Sequence, residues 1–157
     1  MGQRITVEQR RARLGLRHGL AARSVGRPAG AVAADVLVLH ATDPATVYLS
    51  MAARAADLAP DDLGRALYED RSLVRMLGMR RTMFVVPSDL VALVQRSSSD
   101  AVAARLRAAL IKDLTAVVQA PGAWLADVEG SVHELVRTTG GSPATALSTA
   151  EPRLRTK

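Results

Sequence analysis

Predicted helices are followed by predicted strands near the middle of the chain, and this change most constrains its fold. Upstream, Asp43-Pro44 and Pro60 each predict a helix start, because an acidic cap and a proline at the first helical position both favour one. Downstream, Leu73–Leu77 and residues 82–86 are β-prone runs separated by residues 78–81, a pattern typical of a β-hairpin. The sequence therefore predicts short helices closed by a two-stranded hairpin.

A further helix is predicted just before Asp43. Val32, Val36 and Leu39 recur at helical spacing, which indicates a short buried helix over roughly residues 31–41. Three helices followed by a hairpin is the order of elements in a winged helix, and Arg80-Arg81 would then lie near the tip of the wing. The predicted fold class is mainly α with a small β-hairpin.

The N-terminal segment is predicted to form a basic helix. Thr6 and Gln9 have the spacing of a capping box, and the segment can run helical to about Ala22. Val7 and Leu14 are expected to face the protein. Three arginines share another face because they lie at helical spacing: Arg10, Arg13 and Arg17.

The C-terminal half is predicted to be helical with three interruptions. The serines at 97–99 indicate a break, and a long amphipathic helix is expected over residues 100–118, ended by Pro121-Gly122. Another helix should run over residues 124–138, after which Gly140-Gly141 should turn the chain and Ser142-Pro143 should begin a short helix that contains Leu147. A last helix is predicted to begin at Glu151-Pro152 and to stop after about a turn and a half, so the chain is expected to end within a motif.

These boundaries predict three parts. Residues 1–27 form a basic helix and connector, residues 28–99 a first winged helix, and residues 100–157 a linking helix with an incomplete second winged helix. The fold would then be the start of a tandem winged-helix array.

Positive charge is concentrated at the two ends of the chain. The formal net charge is +6, and residues 1–27 hold seven arginines against one glutamate. Residues 152–157 add Arg153, Arg155 and Lys157. Terminal clusters of arginine are typical of a protein that binds a polyanion such as duplex DNA. A composition bias in favour of arginine and alanine explains the same charges equally well.

Several classes of function receive no support. The chain has no cysteine, which excludes disulfides, thiol nucleophiles and cysteine-based zinc sites. His133-Glu134 lacks the second histidine of a zinc motif because Arg137 occupies that position. No phosphate-binding glycine loop is present, so neither a metal nor a nucleotide cofactor is predicted. No segment resembles a signal peptide or a membrane span, and a cytoplasmic protein is expected.

Two longer runs carry a family resemblance. Residues 38–49 (VLHATDPATVYL) and 66–87 (ALYEDRSLVRMLGMRRTMFVVP) resemble the bacterial winged helix DNA-binding domain family that includes the azinomycin-resistance and interstrand-crosslink DNA glycosylases. The resemblance covers essentially the whole chain. It implies a concave scaffold of tandem winged helices that binds DNA, of which this chain would be the N-terminal portion.

The resemblance also implies a candidate catalytic motif. In the glycosylase members, a Gln-apolar-Gln or Gln-apolar-Asp motif positions water for hydrolysis of the N-glycosidic bond. The aligned residues here are His40, Ala41 and Thr42. A neutral histidine can still orient water, whereas a threonine hydroxyl has fewer donors and a shorter reach than an amide. The alternative is that His40 packs at the end of a helix and Thr42 is an ordinary loop residue.

Three functions therefore remain open. The leading interpretation is a DNA-binding protein of the repair type that contacts the backbone of double-stranded DNA through seven arginines: Arg10, Arg13, Arg17, Arg80, Arg81, Arg153 and Arg155. The second is a DNA glycosylase that acts on alkylated or crosslinked bases through His40 and Thr42. The third is an incomplete fragment without a function of its own. The sequence indicates no oligomeric state.

Overall fold

A computed structural model describes residues 4–156 of the chain. It is mainly helical with a small antiparallel sheet, and it divides into two compact units, Met1–Val102 and Ala103–Lys157. The helices of the first unit are α1 (Val7–Arg17), α2 (Ala29–Ala34), α3 (Pro44–Ala52), α4 (Pro60–Tyr68) and α5 (Val91–Val94). Its strands are β1 (Leu39–His40), β2 (Leu73–Leu77) and β3 (Met83–Pro87). Helix α6 (Asp100–Leu114) crosses the boundary, and α7 (Pro121–Thr139) and α8 (Ala144–Ala150) belong to the second unit.

Helix α1 begins as predicted and ends earlier than predicted. The Gln9 backbone N–H donates to Thr6 Oγ1 at 3.2 Å, and the Thr6 N–H donates to Gln9 Oε1 at 3.0 Å, which completes the capping box. The helix stops at Arg17 instead of Ala22, because Gly19 adopts a left-handed φ of 64°. No residue of α1 is buried.

The expectation that Val7 and Leu14 face the protein is therefore wrong. Val7 is 59% exposed and Leu14 is 43% exposed. The end of the helix is nevertheless attached, since Arg54 Nε donates to the His18 carbonyl at 2.9 Å. Arg54 follows α3, so α1 is held by a polar contact at its C-terminus and not by an apolar face.

The segment after α2 departs most from the prediction. A single helix was expected over residues 31–41, but α2 ends at Ala34 and Leu39 and His40 form β1. Leu37 adopts a left-handed φ of 67°, which ends helical geometry. β1 then pairs with β3, with Leu39 opposite Val85 and His40 opposite Phe84. The interpretation of His40 as a residue at a helix end is wrong.

Helices α3 and α4 begin where the sequence predicted. The Asp43 carboxylate accepts a hydrogen bond from the Ala45 N–H at 3.0 Å, and Pro44 occupies the first helical position. In α4, Asp62 Oδ2 accepts from the Ala59 N–H at 2.9 Å. These local contacts satisfy backbone donors that the first turn of a helix leaves without partners.

The predicted hairpin is confirmed, and it gains a third strand. β2 and β3 pair antiparallel from Leu73 opposite Pro87 to Leu77 opposite Met83. β1 pairs on the other side of β3, so the strand order is β1-β3-β2. Helices α2, α3 and α4 pack with this sheet around one apolar core, whose most deeply buried large side chains include Val32, Met51, Leu63, Leu73 and Val85.

The predicted break at the serine run is absent. Residues Gln95–Ser99 form a π-helical turn that joins α5 to α6 without interruption. The turn is held because Ser98 Oγ donates to the Val94 carbonyl at 3.1 Å and Ser99 Oγ donates to the Leu77 carbonyl at 2.6 Å. The serine hydroxyls therefore bond to backbone carbonyls and do not stop the helix.

The second unit follows the predicted order with shifted ends. α6 ends at Leu114 and not at residue 118, and Pro121 begins α7. α7 ends at Thr139, where Gly140 adopts a left-handed φ of 68°. After α8, residues Pro152–Arg155 form one short 3-10 helix.

Candidate functional site

His40 and Thr42 meet on an exposed part of the first unit. Their side chains lie on the same side of the extended segment because they are two positions apart. Thr42 Oγ1 lies 3.3 Å from His40 Nε2, within hydrogen-bond distance. Both residues are exposed, whereas Ala41 between them is fully buried. The structure thus brings together the two residues that the resemblance singled out.

The ring of His40 is held against the sheet. Its centroid lies 5.7 Å from that of Phe84, and the two rings are nearly perpendicular at 88°. Phe84 is the residue directly opposite His40 on β3. Edge-to-face contacts of this kind favour one ring orientation over others, and in this orientation Nε2 lies beside the Thr42 hydroxyl.

The backbone between His40 and Thr42 is fixed on both sides. The Ala41 N–H donates to the Met83 carbonyl at 2.8 Å. The Ala41 carbonyl accepts two hydrogen bonds from Arg75, at 3.2 Å from Nε and 3.0 Å from Nη2. Sequence reasoning missed Arg75, since nothing in the local pattern relates it to a residue 34 positions earlier.

Arg80 and Arg81 lie at the tip of the hairpin, as predicted. Both are exposed, and both have left-handed φ values, 56° and 62°. The turn is closed by the Gly78 N–H, which donates to the Thr82 carbonyl at 2.9 Å. Within residues 4–156, neither guanidinium has an ion pair or a hydrogen bond. Their charges are available to an external anion.

The arginines of α1 are similarly exposed. Arg10, Arg13 and Arg17 lie three and four positions apart on this regular helix, which places them along one side. Their guanidinium groups make no ion pair in the described part of the chain. The helix therefore presents a row of positive charge.

Arg153, in contrast, is paired with carboxylates of the same chain. Its guanidinium donates to Glu151 Oε1 at 2.8 Å from Nε and to Oε2 at 2.6 Å from Nη2, and it also pairs with Asp127. The contacts with Arg153, and then the Ser131 hydroxyl, lower the pKa of Glu151 to about 2. The carboxylates of Glu151 and then Asp127 raise the pKa of Arg153. Arg155 donates from Nη2 to Thr149 Oγ1 at 3.3 Å.

Two further arginines of the second unit are also neutralised within the chain. Arg107 forms a bidentate ion pair with Glu129, and Arg137 forms another with Glu134. Each carboxylate raises the pKa of its arginine through the hydrogen bonds between them. These paired arginines contrast with the unpaired ones on α1 and the hairpin tip.

The described residues contain no other assembled site of this kind. No group of three His, Asp or Glu side chains converges within residues 4–156. No helix in that part of the chain is long and apolar enough to span a bilayer.

The comparisons with known proteins agree with the sequence resemblance. The family model described as DNA glycosylase AlkZ-like matches residues 33–157. The matched region includes the His40–Thr42 pair, the hairpin and Arg153, while α1 lies before it. No curated protein and no solved structure matches the chain.

Proposed function

We propose that this chain, which belongs to the AlkZ-like DNA glycosylase family, binds the backbone of double-stranded DNA through its unpaired arginines. The observation that carries the proposal is the hairpin tip, where Arg80 and Arg81 extend from a turn without any carboxylate partner in the described residues. Guanidinium groups in this state gain most from phosphate contacts, because no internal ion pair must first be broken. Arg10, Arg13 and Arg17 on α1 provide a second contact.

The order of elements in the first unit supports a winged helix. α2, β1, α3, α4, β2 and β3 follow one another, and the turn between β2 and β3 is the wing. The first turn of α4 carries Asp61 and Asp62, of which Asp62 is paired with Arg65 at 3.5 Å, so Asp61 remains as the charge that repels phosphate there. We therefore assign the DNA contact of this winged helix to its wing and not to α4. The second unit would begin the next winged helix of a tandem array.

Arg153 and Arg155 are minor members of the proposed DNA contact. Arg153 would have to exchange its pairs with Glu151 and Asp127 for a phosphate. The net gain is small when one anion replaces another, so we expect these two arginines to contribute less than the hairpin tip.

A fluorescent duplex titrated across a salt series tests the proposal. Neutralisation of four to six phosphates gives a slope of log K against log salt of roughly −4 to −5. Replacing Arg80 and Arg81 by glutamine should make the slope less steep by about 2, since two phosphate contacts are lost. The matched control replaces Arg107 and Arg137 by glutamine, which changes the net charge equally but removes arginines already paired. Equal slopes for the two double variants would contradict the proposal.

The His40–Thr42 pair favours a second candidate function, hydrolysis of the N-glycosidic bond of an alkylated or crosslinked base. Nε2 and Oγ1 lie 3.3 Å apart on two exposed residues, so both can contact one water molecule. A histidine that accepts a proton from this water, while the hydroxyl orients it, would direct attack on the sugar carbon of an extruded nucleotide.

Alkali-labile abasic sites in alkylated duplex are the measurement for this second function. His40→Ala should reduce their formation by about a hundredfold or more, in the range for loss of a general base. His133→Ala is the control, because that histidine is exposed on α7. Activity equal to that of the wild type in His40→Ala, or no abasic sites from the wild type, would exclude hydrolysis at this pair.

A further inference from the structure

We propose that Arg75 is a positioning residue that fixes the separation between His40 and Thr42 for hydrolysis. The inference rests on the second function proposed above. Arg75 lies on β2, while the pair lies on and just after β1 at the other side of the sheet. Its guanidinium nevertheless reaches the Ala41 carbonyl with two hydrogen bonds, at 3.2 and 3.0 Å.

This contact completes the restraint of one peptide segment. The Ala41 N–H is bonded to the Met83 carbonyl at 2.8 Å, and the Ala41 side chain is fully buried. With the carbonyl also bonded, both polar backbone atoms and the side chain of Ala41 are fixed. The separation between His40 and Thr42 depends on the backbone angles of Ala41, so it is fixed by the same contacts.

The chemistry of arginine suits this role. A guanidinium presents several N–H donors in one rigid plane, so Nε and Nη2 can bond to one carbonyl oxygen together. A lysine ammonium would offer its three N–H donors from one nitrogen atom at the end of a flexible chain. Arg75 has no carboxylate partner among residues 4–156, and its guanidinium donates both hydrogen bonds to the Ala41 carbonyl.

Arg75 and the side chains of the His40–Thr42 pair lie on opposite faces of the sheet. His40 lies opposite Phe84 and Arg75 opposite Val85, which are successive residues of β3. Successive residues of a strand project to opposite faces of a sheet. Arg75 thus reaches the backbone of the pair from the other face and leaves the exposed side chains accessible to water and DNA.

The test compares Arg75→Met with Arg71→Met in the full chain. Arg71 lies four positions earlier and is exposed, so the control has the same change of side chain and charge. Nuclear Overhauser contacts of the His40 ring with Thr42 and Phe84 are measured first. Turnover and KM for abasic-site formation, and duplex affinity, are measured next.

We expect Arg75→Met to lose the His40–Thr42 contact and to lower turnover by about a hundredfold, the cost of misplacing a reacting group by about 1 Å. KM and duplex affinity should stay within about twofold of wild type, because only the pair moves. Arg71→Met should match wild type in every measurement. A purely structural role would lower thermal stability without the selective loss of turnover in folded protein.

The outcomes distinguish the inference from the function on which it rests. If Arg75→Met and Arg71→Met behave alike, the positioning role is wrong even though the wild type is active. If the wild type forms no abasic sites, hydrolysis fails as a function, and the comparison of His40–Thr42 contacts still decides the role of Arg75. If Arg75→Met does not fold, Arg75→Lys tests the positioning role instead. We expect Arg75→Lys to lose turnover to an intermediate degree, and turnover equal to that of the wild type would contradict the proposal.

Discussion

Gly78 lies so close to Phe84 that a β-carbon at position 78 would come within 2.9 Å of Phe84 Cδ2. The φ angle of Gly78 is −141°, so the need for glycine comes from this contact and not from a left-handed backbone. Because the same ring packs edge-to-face with His40, the start of the hairpin turn is coupled to the candidate catalytic pair.

Replacing Gly78 with alanine should therefore destabilise the first unit. The added methyl group forces the Phe84 ring to shift, and overpacking of this kind costs about 1–3 kcal/mol of unfolding free energy. Thermal denaturation measures the change. The matched control is Gly64→Ala within α4, where no atom lies within 4 Å of the added carbon; it should stabilise the protein by about 0.5–1 kcal/mol. An equal effect of the two substitutions would show that Phe84 accommodates the methyl group freely.

Reversal of the α1 arginines should weaken binding to every duplex alike. Changing Arg10, Arg13 and Arg17 to glutamate replaces attraction for phosphates by repulsion, and phosphate contacts carry no sequence information. Because no residue of α1 is buried, the melting temperature should change little. Titration of several unrelated duplexes measures the effect. The corresponding lysine variant keeps the charge and should keep the affinity; unchanged binding by the glutamate variant would exclude this helix from the interface.

The Glu151–Arg153 pair should make the second unit sensitive to acid. The folded pKa of Glu151 is about 2, below its ordinary value of 4.5. A lowered pKa in the folded state means that the stabilisation is present above about pH 4.5 and is lost as the pH falls towards 2. Glu151→Gln should therefore melt below the wild type at neutral pH and match it near pH 2.

Thermal melts between pH 2 and 7 measure this convergence. Glu69→Gln serves as the control, because Glu69 takes no part in the ion pairs of the described residues. A gap between wild type and Glu151→Gln that stays constant down to pH 2 would mean that the carboxylate charge does not contribute to stability.

Mutation of Thr42 should affect chemistry more than binding. Thr42→Val removes the hydroxyl that lies 3.3 Å from His40 Nε2 while keeping the size of the side chain. We expect abasic-site formation to fall by about tenfold, a smaller loss than for His40→Ala, because the hydroxyl orients water and does not accept its proton. Duplex affinity should be unchanged. Thr115→Val, which removes an exposed hydroxyl from the second unit, is the control.

Features that depend on neighbouring residues followed from the sequence alone. The capping box of Thr6 and Gln9, the Asp43 cap and the left-handed Gly140 all rest on contacts or angles within about four residues. The β2–β3 hairpin is local in the same sense, and this placed Arg80 and Arg81 at its tip. The residue pattern also predicted the helical class, since apolar spacing records which face of a helix is buried.

Only the tertiary structure decided the features that join distant parts of the chain. Leu39 and His40 have helical spacing with Val32, yet they form a strand because β3, more than 40 residues later, offers backbone hydrogen bonds. Arg75 reaches Ala41 across 34 positions, and Arg153 is paired with Asp127 across 26. Such contacts depend on where folding brings each segment. The sequence by itself therefore determined which arginines are present and where the His-Ala-Thr triplet lies. The packed fold determined which arginines are unpaired or paired, and which contacts hold the triplet in place.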